Sequence, residues 1–273
     1  MKKVITSIRN PLIKKILTLQ EKPRERRREE QIIIEGVREI SQAVTAGFTL
    51  TTLLHCPDIF SEENVAQLIS DTRTSCDIIE ISRDVFNRLA YRQDSGGMIG
   101  CAHYLKKTLS SLDLSQNPLM LVLESVEKPG NLGAILRTAD AASLSAVIIC
   151  DAQTDLYNPN TIRASLGTIF TNQIVVASST ETISWLRENK IVSFATALSG
   201  KTGYHEADFS QSAAIIMGSE AEGLSDQWLK NADLLIKIPM LGKVDSLNVS
   251  ASAAIVIFEA MRQRGFNIFH HPL

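Results

Sequence analysis

The chain has 273 residues, 44% of them hydrophobic, which is long enough for two domains that each bury a core. No segment approaches the roughly 20 apolar residues of a membrane-spanning helix, and no apolar signal region follows the first lysines, so we expect a cytoplasmic protein. The cysteines lack Cys-x-x-Cys spacing and nearby histidines, which predicts buried free thiols and no metal site. They are Cys56, Cys76, Cys101 and Cys150.

Charge is distributed unevenly along the chain. The formal net charge is -2, which by itself argues against a nucleic-acid-binding protein. Between residues 1 and 28, however, basic side chains outnumber acidic ones by ten to two. This run is either a solvated, partly helical face or a surface that binds RNA phosphates. The candidate RNA contacts are Arg9, Lys14, Lys15, Arg24, Arg26, Arg27 and Arg28.

The first hundred residues alternate helical periodicity with short β-branched runs. They predict strands at 31–35, 51–55, 77–81 and 98–102, and helices at 37–46, 62–71 and 83–93. We therefore expect a small α/β sandwich over residues 1–105. The polar, serine-rich stretch that follows ends in Asn-Pro and predicts a linker at 106–117, before a second domain at 118–273.

Near-continuous apolar strands return after this stretch, which favours a parallel sheet covered on both faces. They are predicted at 119–124, 146–151, 173–177, 191–197, 213–217 and 234–239. The final helix, at about 247–264, is apolar almost all round. It should be buried against the sheet, a partner subunit, or both.

Three segments of the second domain combine glycines with polar side chains. In the first, PGNLGAILRTA at 129–139, Asn131 stands where a helix N-cap belongs, and Gly133 shares a helix face with Arg137. The second, IIMGSEAEGL at 215–224, is a buried strand running into a loop, and ligands of doubly wound folds bind beyond such strand ends. Taken singly, these segments are also compatible with a capped helix that has a surface arginine and with a solvated acidic loop.

The third segment, IPMLGKVDSLNVSAS at 238–252, leads from a strand into the last helix. Polar side chains cluster in the first turns of this otherwise apolar helix, and buried polar groups need partners. The partners are either backbone groups, as in an ordinary cap, or a ligand at the helix start. The clustered residues are Ser246, Asn248, Ser250 and Ser252.

Together and in this order, the patterns N-x-G-A-x-x-R-T-A, G-x-E-x-x-G-L and I-P-M-x-G-x-x-x-S-L-N-V-S resemble the three motifs of the SpoU (TrmH) family in the SPOUT superfamily. These proteins are RNA 2'-O-ribose methyltransferases, and the resemblance covers residues 119–265. The first domain also resembles the ribosomal-protein-like substrate-binding domain of ribosomal-RNA members, through SIRNPLIK at 7–14 and IEG at 34–36.

The resemblance implies a parallel-sheet α/β domain with a deep trefoil knot, which periodicity could not suggest because knots are nearly absent from proteins. It also implies ribosomal RNA as substrate and S-adenosyl-L-methionine as cofactor, while the apolar last helix predicts a homodimer through the second domain. The implied cofactor residues are Thr196, Ala197, Leu198, Gly200, Gly218, Glu220, Ile238, Met240, Ser246, Leu247 and Asn248. The chain departs from the family pattern at Ser219, commonly Asn, and at Ala221, usually Gly.

The same resemblance makes Arg137 the catalytic arginine, oriented with the sugar by Asn131, Glu220, Ser246 and Asn248. A guanidinium stays protonated, so we expect Arg137 to grip a phosphate or the developing alkoxide rather than to act as a base.

The motifs argue against two other classes of protein. A non-catalytic RNA-binding protein with this fold would show damage in the first or third motif, and both motifs are intact. A nucleotide-dependent oxidoreductase or a Rossmann-type methyltransferase would need a glycine-rich turn after the first strand, which Gly130 and Gly133 imitate poorly.

Overall fold

The computed structural model describes residues 3–72, 74–91, 96–114 and 116–266, and the chain forms two compact units. The first comprises Met1–Leu105 with Tyr157–Thr171, and the second comprises Lys106–Leu156 with Asn172–Leu273. The segment predicted as a linker is therefore part of the second unit. Residues 157–171, predicted to lie in the second domain, belong instead to the first unit.

The first unit is built on a five-stranded sheet in the order β1-β4-β3-β5-β2. Its strands are β1 (Lys3–Ile5), β2 (Gln31–Glu35), β3 (Leu50–His55), β4 (Asp77–Ile81) and β5 (Met98–His103). Its first five helices are α1 (Pro11–Glu21), α2 (Pro23–Glu29), α3 (Val37–Thr45), α4 (Glu62–Thr72) and α5 (Arg83–Leu89). The predicted strands and helices are confirmed, except that the helix predicted over 83–93 ends at Leu89, and residues 92–93 lie outside the described part of the chain.

Helices cover both faces of this sheet. Residues of α1 and α5, including Ile16 and Phe86, pack with Ile33 of β2 and Cys101 of β5 in one apolar cluster. Neighbouring residues of a strand point to opposite faces, and a Cβ at Gly100 would meet Ile40 of α3, so α3 covers the other face. Consecutive residues of β2 are therefore buried on opposite faces of the sheet, and this burial on both faces is the physical basis of the sandwich.

The segment Tyr157–Thr171 forms two short helices, α7 (Pro159–Ala164) and α8 (Thr168–Thr171), and packs on the first unit through aromatic side chains. The Tyr157 ring lies 5.8 Å from the ring of Phe48 and 5.0 Å from that of Tyr104, measured between centroids. Phe170 lies 5.1 Å from Phe48. These contacts join residues more than 50 positions apart, so local periodicity did not reveal them.

The second unit contains a seven-stranded sheet in the order β10-β12-β9-β11-β6-β7-β8, and all of its strand pairs are parallel. Its strands are β6 (Leu119–Glu124), β7 (Ala146–Cys150), β8 (Ile174–Ala177), β9 (Val192–Thr196), β10 (Thr202–Gly203), β11 (Ala213–Met217) and β12 (Leu234–Lys237). Its helices are α6 (Pro129–Ala141), α9 (Ser179–Glu188), α10 (Asp226–Asn231) and α11 (Val249–Gln263). The predicted parallel sheet is confirmed.

This sheet is apolar because its central strands are buried on both faces. Every residue of β6, β7 and β11 is buried. Helices α9 and α10 pack on one face, where Leu109, Leu112 and Leu114 of the predicted linker also lie. The strands β12, β9, β11 and β6 are neighbours, so the loops after them emerge along one edge of the sheet.

Among the described residues, no helix is long and apolar enough to cross a membrane, and no cluster of side chains could hold a metal ion. The four cysteines are free, and Cys76 is only half-buried, contrary to the expectation. Burial raises the pKa of Cys101 and of Cys150 to about 12, so both are protonated at neutral pH.

Candidate active site

Hydrogen bonds join the three motif segments at the carboxyl edge of the second sheet. Asn131 Nδ2 donates to Glu220 Oε1, and Asn248 Nδ2 donates to Asn131 Oδ1 at 3.2 Å. Asn131 is not the N-cap, because α6 begins at Pro129 and its N-cap residue is Lys128. Its side chain therefore does not cap the helix and instead bridges the second and third motifs.

The second oxygen of Glu220 lacks a partner in the described part of the chain. Oε2 is buried without a hydrogen bond, although Oε1 accepts from Asn131. Leaving a buried carboxylate oxygen unpaired is costly. The arrangement suits a site in which a bound ligand or substrate hydroxyl supplies the missing donor.

The loop of the second motif is closed by backbone hydrogen bonds. Ser219 N–H donates to the Gly223 carbonyl at 3.0 Å, and Gly223 N–H donates back at 3.1 Å. A Cβ on Gly218 would lie 2.2 Å from the Gly223 carbonyl carbon, so only glycine fits there. Ser219, which departs from the family pattern, has a local hydrogen-bond partner, because its Oγ accepts from Glu222 N–H at 3.0 Å. The other departure, Ala221, is exposed on the loop.

A buried network that the sequence analysis missed anchors the far end of this loop. Glu124, the last residue of β6, is 5% exposed, and its Oε2 accepts from Ser225 N–H at 2.7 Å. Its Oε1 accepts from Ser225 Oγ at 2.6 Å and from Ser179 Oγ at 3.1 Å, while Trp228 Nε1 donates to Ser179 Oγ at 2.9 Å. Ser225 follows the second motif directly, so Glu124 ties that loop to the first strand of the sheet. A charged residue ending an otherwise apolar strand was the available signal.

The third motif starts α11 with a side-chain cap. Asn248 is the N-cap residue, and its Oδ1 accepts from Ser250 N–H at 2.9 Å and from Ser250 Oγ at 2.6 Å. Its amide nitrogen reaches Asn131. One side chain therefore both begins the helix, as an ordinary cap does, and connects two motifs.

A cavity of about 710 Å³ opens between the loops that follow β9, β11 and β12. This volume lies in the range of roughly 300–1,000 Å³ typical of small-molecule sites. Ten of the eleven residues predicted to bind the cofactor line it: Thr196, Ala197, Leu198, Gly218, Glu220, Ile238, Met240, Ser246, Leu247 and Asn248. Gly200 does not, and a Cβ there would lie 2.8 Å from the Ile236 carbonyl group, so this glycine permits a close backbone approach.

The lining of the cavity fits a nucleoside that has a charged tail. Leu198, Ile238 and Leu247 provide apolar walls, and Gly218 lines the cavity where β11 ends. Residues that the sequence analysis did not select also line it, among them Lys128, Ser199, Lys237, Asp245 and Ser252. S-adenosylmethionine combines an aromatic base, a ribose and an amino-acid tail, which this mixture of apolar and polar groups can accommodate.

Arg137 lies on α6, outside this cavity. Its side chain is exposed and has no hydrogen-bond or ion-pair partner among the described residues, whereas Gly133, one turn earlier, is buried. An exposed guanidinium can contact an RNA phosphate or a sugar oxygen without first breaking an internal ion pair.

The structure separates the seven predicted RNA contacts into three groups. Arg26 is fully buried, and its Nη1 donates to the Leu19 carbonyl and to the Gln20 carbonyl, so predicting it as an RNA contact was wrong. Arg28 pairs with Glu25 and Glu29, and Lys15 pairs with Glu29 at 3.4 Å. The remaining four are exposed and have no acidic partner among the described residues: Arg9, Lys14, Arg24 and Arg27.

The parallel α/β sheet, the cavity at its carboxyl edge and the joined motifs define a cofactor-binding enzyme domain. Residues 118–258 match the SpoU rRNA Methylase family, and residues 10–100 match the MRM3-like substrate binding domain. The first match covers more than half of the chain. The chain belongs to the SpoU rRNA methylase family.

Curated relatives and solved structures resemble nearly the whole chain. A 23S rRNA (guanosine(2553)-2'-O)-methyltransferase of Bacillus subtilis is 29% identical over 94% of this chain and 98% of its own length. A 23S rRNA (uridine(2479)-2'-O)-methyltransferase of Streptomyces viridochromogenes is 28% identical over 88% of this chain and 85% of its own length. The AdoMet-bound rRNA methyltransferase of Sinorhizobium meliloti is 29% identical, with a TM-score of 0.87 over 95% of this chain and 97% of that one.

Proposed function

We propose that this protein transfers a methyl group from S-adenosyl-L-methionine to a ribose 2'-hydroxyl of ribosomal RNA. The observation that carries the proposal is the convergence of all three motifs, through Asn131, Glu220 and Asn248, beside the 710 Å³ cavity. Relatives named as 23S rRNA 2'-O-methyltransferases and an AdoMet-bound neighbour support it. A ribosomal RNA substrate also agrees with the cytoplasmic location expected from the sequence.

The cavity residues would hold the cofactor, which supplies an electrophilic methyl group when it is bound. Loop backbone beside Gly218, together with Thr196, Ile238 and Leu247, would bind the nucleoside. Glu220 Oε2 would accept a hydrogen bond from the ligand or from the sugar, which would satisfy its unpaired oxygen. Positioning of two bound reactants then supplies most of the rate.

Arg137 would act on the RNA rather than on the cofactor. It is exposed and lies outside the cavity, in the same helix as Asn131. A permanently charged guanidinium stabilises a phosphate or the alkoxide that develops on the 2'-oxygen. Asn131 and Asn248 would position the second and third motifs around the sugar, with Ser246 lining the cavity beside them.

The test combines cofactor binding with identification of the product. The protein should bind S-adenosylmethionine in calorimetry and should not bind NAD, and it should transfer a labelled methyl group to unmodified 23S rRNA. After digestion, the label should be found on a 2'-O-methyl nucleoside. A labelled base, or no transfer to RNA by protein that binds the cofactor, would contradict the proposed reaction.

Two structural features of the family are proposed as well: a trefoil knot in the second unit and a homodimer formed through it. The strand order, in which β12 lies between β9 and β10, supports a threaded chain. Along α11, Ala251, Ile255 and Phe258 form an apolar stripe that is exposed or half-buried, and Phe258 is 42% exposed.

Sedimentation should give a concentration-dependent dimer. Phe258→Glu should weaken the dimer, whereas Val176→Glu, which changes another exposed apolar residue of the same unit, should not. A concentration-independent monomer would contradict the dimer while leaving the reaction untouched.

A further inference from the structure

A groove of about 260 Å³ lies in the first unit, at the start of α3. The volume is below the roughly 300–1,000 Å³ of typical small-molecule pockets, so the groove suits a single planar group better than a whole cofactor. It is lined by residues from four separate stretches of chain, including Glu35, Val37, Arg38, Tyr91, Ile162 and Arg163. The predicted RNA-binding or catalytic residues do not include any of these side chains.

An exposed tyrosine with an arginine stacked on its ring forms one wall. Tyr91 is 46% exposed, and its backbone N–H donates to both carboxylate oxygens of Glu35, at 3.0 and 3.1 Å. The guanidinium carbon of Arg163 lies 5.3 Å from the centre of the Tyr91 ring, and Arg163 Nη2 donates to Asn160 Oδ1 at 2.9 Å. The backbone of Tyr91 and the guanidinium of Arg163 are therefore both held before any ligand binds.

The groove is lined by equal numbers of acidic and basic side chains, unlike the basic run between residues 1 and 28. Arg38 and Arg163 are matched by Glu35 and Glu39 in the lining. A phosphate would meet carboxylates as well as guanidinium groups, so the groove offers no net attraction to RNA backbone. A nucleobase is uncharged, has an apolar face for the tyrosine ring, and has edge groups that both carboxylates and guanidinium groups can bind.

We propose that this groove binds one unpaired nucleobase of the RNA substrate, and that the base stacks on the wall formed by Tyr91 and Arg163. The inference rests on the proposed function, and it assigns to the first unit a base-reading site besides the phosphate contacts predicted for its basic side chains. Proteins recognise RNA sequence mostly through unstacked bases placed on aromatic rings and on guanidinium planes, whereas phosphate contacts fix position.

The segment 157–171 contributes part of this site. Ile162 and Arg163 lie within residues 118–258, which match the catalytic family, yet they belong to the first unit. The base-binding groove is therefore incomplete in residues 1–105 alone, and binding should be tested with the full chain.

Three variants of the full chain test the proposal with a mixed-sequence 12-nucleotide single-stranded RNA and its blunt duplex. Tyr91→Ala should weaken single-strand binding about ten-fold, since base stacking on aromatics contributes roughly 5- to 100-fold. Tyr91→Phe keeps the ring and should stay within about two-fold of wild type. Ile78→Ala removes an exposed apolar side chain of the same unit, outside the groove, and should have no effect.

Two further measurements separate base stacking from charge. Duplex affinity should be unchanged in Tyr91→Ala, and the dependence of log affinity on log salt should keep the wild-type slope because no phosphate contact is lost. Arg163→Lys keeps the charge but loses the planar stack, so it should weaken single-strand binding several-fold at an unchanged slope. This variant also serves if Tyr91→Ala fails to fold.

The outcomes distinguish this inference from the proposed function. Wild-type affinity in both Tyr91→Ala and Arg163→Lys would overturn the groove assignment but not the proposed function. The contact between Tyr91 and Arg163 would then serve packing only. Equal losses on single strand and duplex with a flatter salt slope would also overturn it, because that pattern indicates phosphate binding. Failure of the wild-type protein to bind either RNA would overturn the groove assignment alone, because methyl transfer to 23S rRNA tests the proposed function separately.

Discussion

Three polar residues of the second unit's motifs hold one another in place, whereas four predicted RNA contacts of the first unit have no acidic partner among the described residues. Asn131, Glu220 and Asn248 form one hydrogen-bonded chain, and Glu124 fastens the adjoining loop through Ser225. In the first unit, Arg24 and Arg27 are exposed and unpaired among the described residues. A preorganised cluster suits chemistry at one atom, while separate surface charges suit contact with an extended backbone.

This difference predicts different consequences of mutation in the two units. Losing one member of a coupled cluster disturbs the geometry of the others, so the rate constant should fall steeply. Losing one isolated surface charge removes a single phosphate contact and should change the affinity for RNA modestly. The expected effects therefore decrease from the second unit to the first.

Arg137→Ala should have the largest effect, a loss of about two or more orders of magnitude in single-turnover methyl transfer, the scale of one lost transition-state contact. S-adenosylmethionine binding should stay within a few fold, because Arg137 lies outside the cavity. Arg187→Ala is the matched control. This exposed arginine of α9 lies in the same unit and donates a hydrogen bond to Asn231. Substantial turnover by Arg137→Ala would remove Arg137 from the reaction.

Gly218→Ala should weaken S-adenosylmethionine binding by about ten-fold or more. Its Cβ would lie 2.2 Å from the Gly223 backbone, so the loop must open at an overpacking cost of roughly 1–3 kcal/mol. Gly130→Ala is the control, because a Cβ at Gly130 meets nothing within 4 Å. Calorimetric titration of both variants checks this prediction, and equal affinities would mean that the loop of the second motif does not form the binding site.

Glu124→Ala should lower the free energy of unfolding by about 1–3 kcal/mol, because it leaves the N–H and the hydroxyl of Ser225 without their acceptor. Cofactor affinity should fall with it as the loop loosens. Glu124→Gln retains an acceptor and should lose much less stability and much less cofactor affinity. Denaturant unfolding and cofactor titration measure the stability and the cofactor affinity of both variants. A fall in stability with unchanged cofactor affinity would limit Glu124 to a structural role.

Arg26→Ala and Arg27→Ala provide the smallest and sharpest comparison within one helix. Arg26 is buried against backbone carbonyls, so its loss should lower stability by roughly 1–3 kcal/mol. Arg27 is exposed, so its loss should leave stability within about 0.5 kcal/mol and reduce the salt slope of RNA binding by about 0.7–0.9. An unchanged slope in Arg27→Ala would make the basic run a solvated face.

The sequence predicted the second unit better than the first, for a physical reason. Strands buried on both faces appear as continuous apolar runs, and loops at their ends require glycine where the backbone closes on itself, as at Gly218. Ten of the cofactor residues that the family resemblance implies line the cavity formed by these loops. Arg26 could not be told from Arg27 by composition, because its burial depends on carbonyls of the preceding helix.

Long-range packing accounts for the remaining differences. Tyr157 and Phe170 join the first unit through Phe48, which lies more than 100 positions earlier in the chain. Glu124 acquires its role from Ser225, 101 positions later. Neither relation leaves a periodic pattern, so only the folded chain reveals the groove of the first unit and the anchor of the second-motif loop.

Single-turnover methylation of unmodified 23S rRNA over a range of RNA concentrations tests most directly whether chemistry and RNA binding belong to different units. Wild type, Arg137→Ala and the double variant Arg24→Gln with Arg27→Gln are compared at saturating cofactor. We predict that the double variant needs more RNA but reaches the wild-type rate at saturation, whereas Arg137→Ala stays at least about 100-fold slower at every RNA concentration. A double variant that stays slow at saturating RNA, or an Arg137→Ala rate that recovers as RNA is added, would contradict this division.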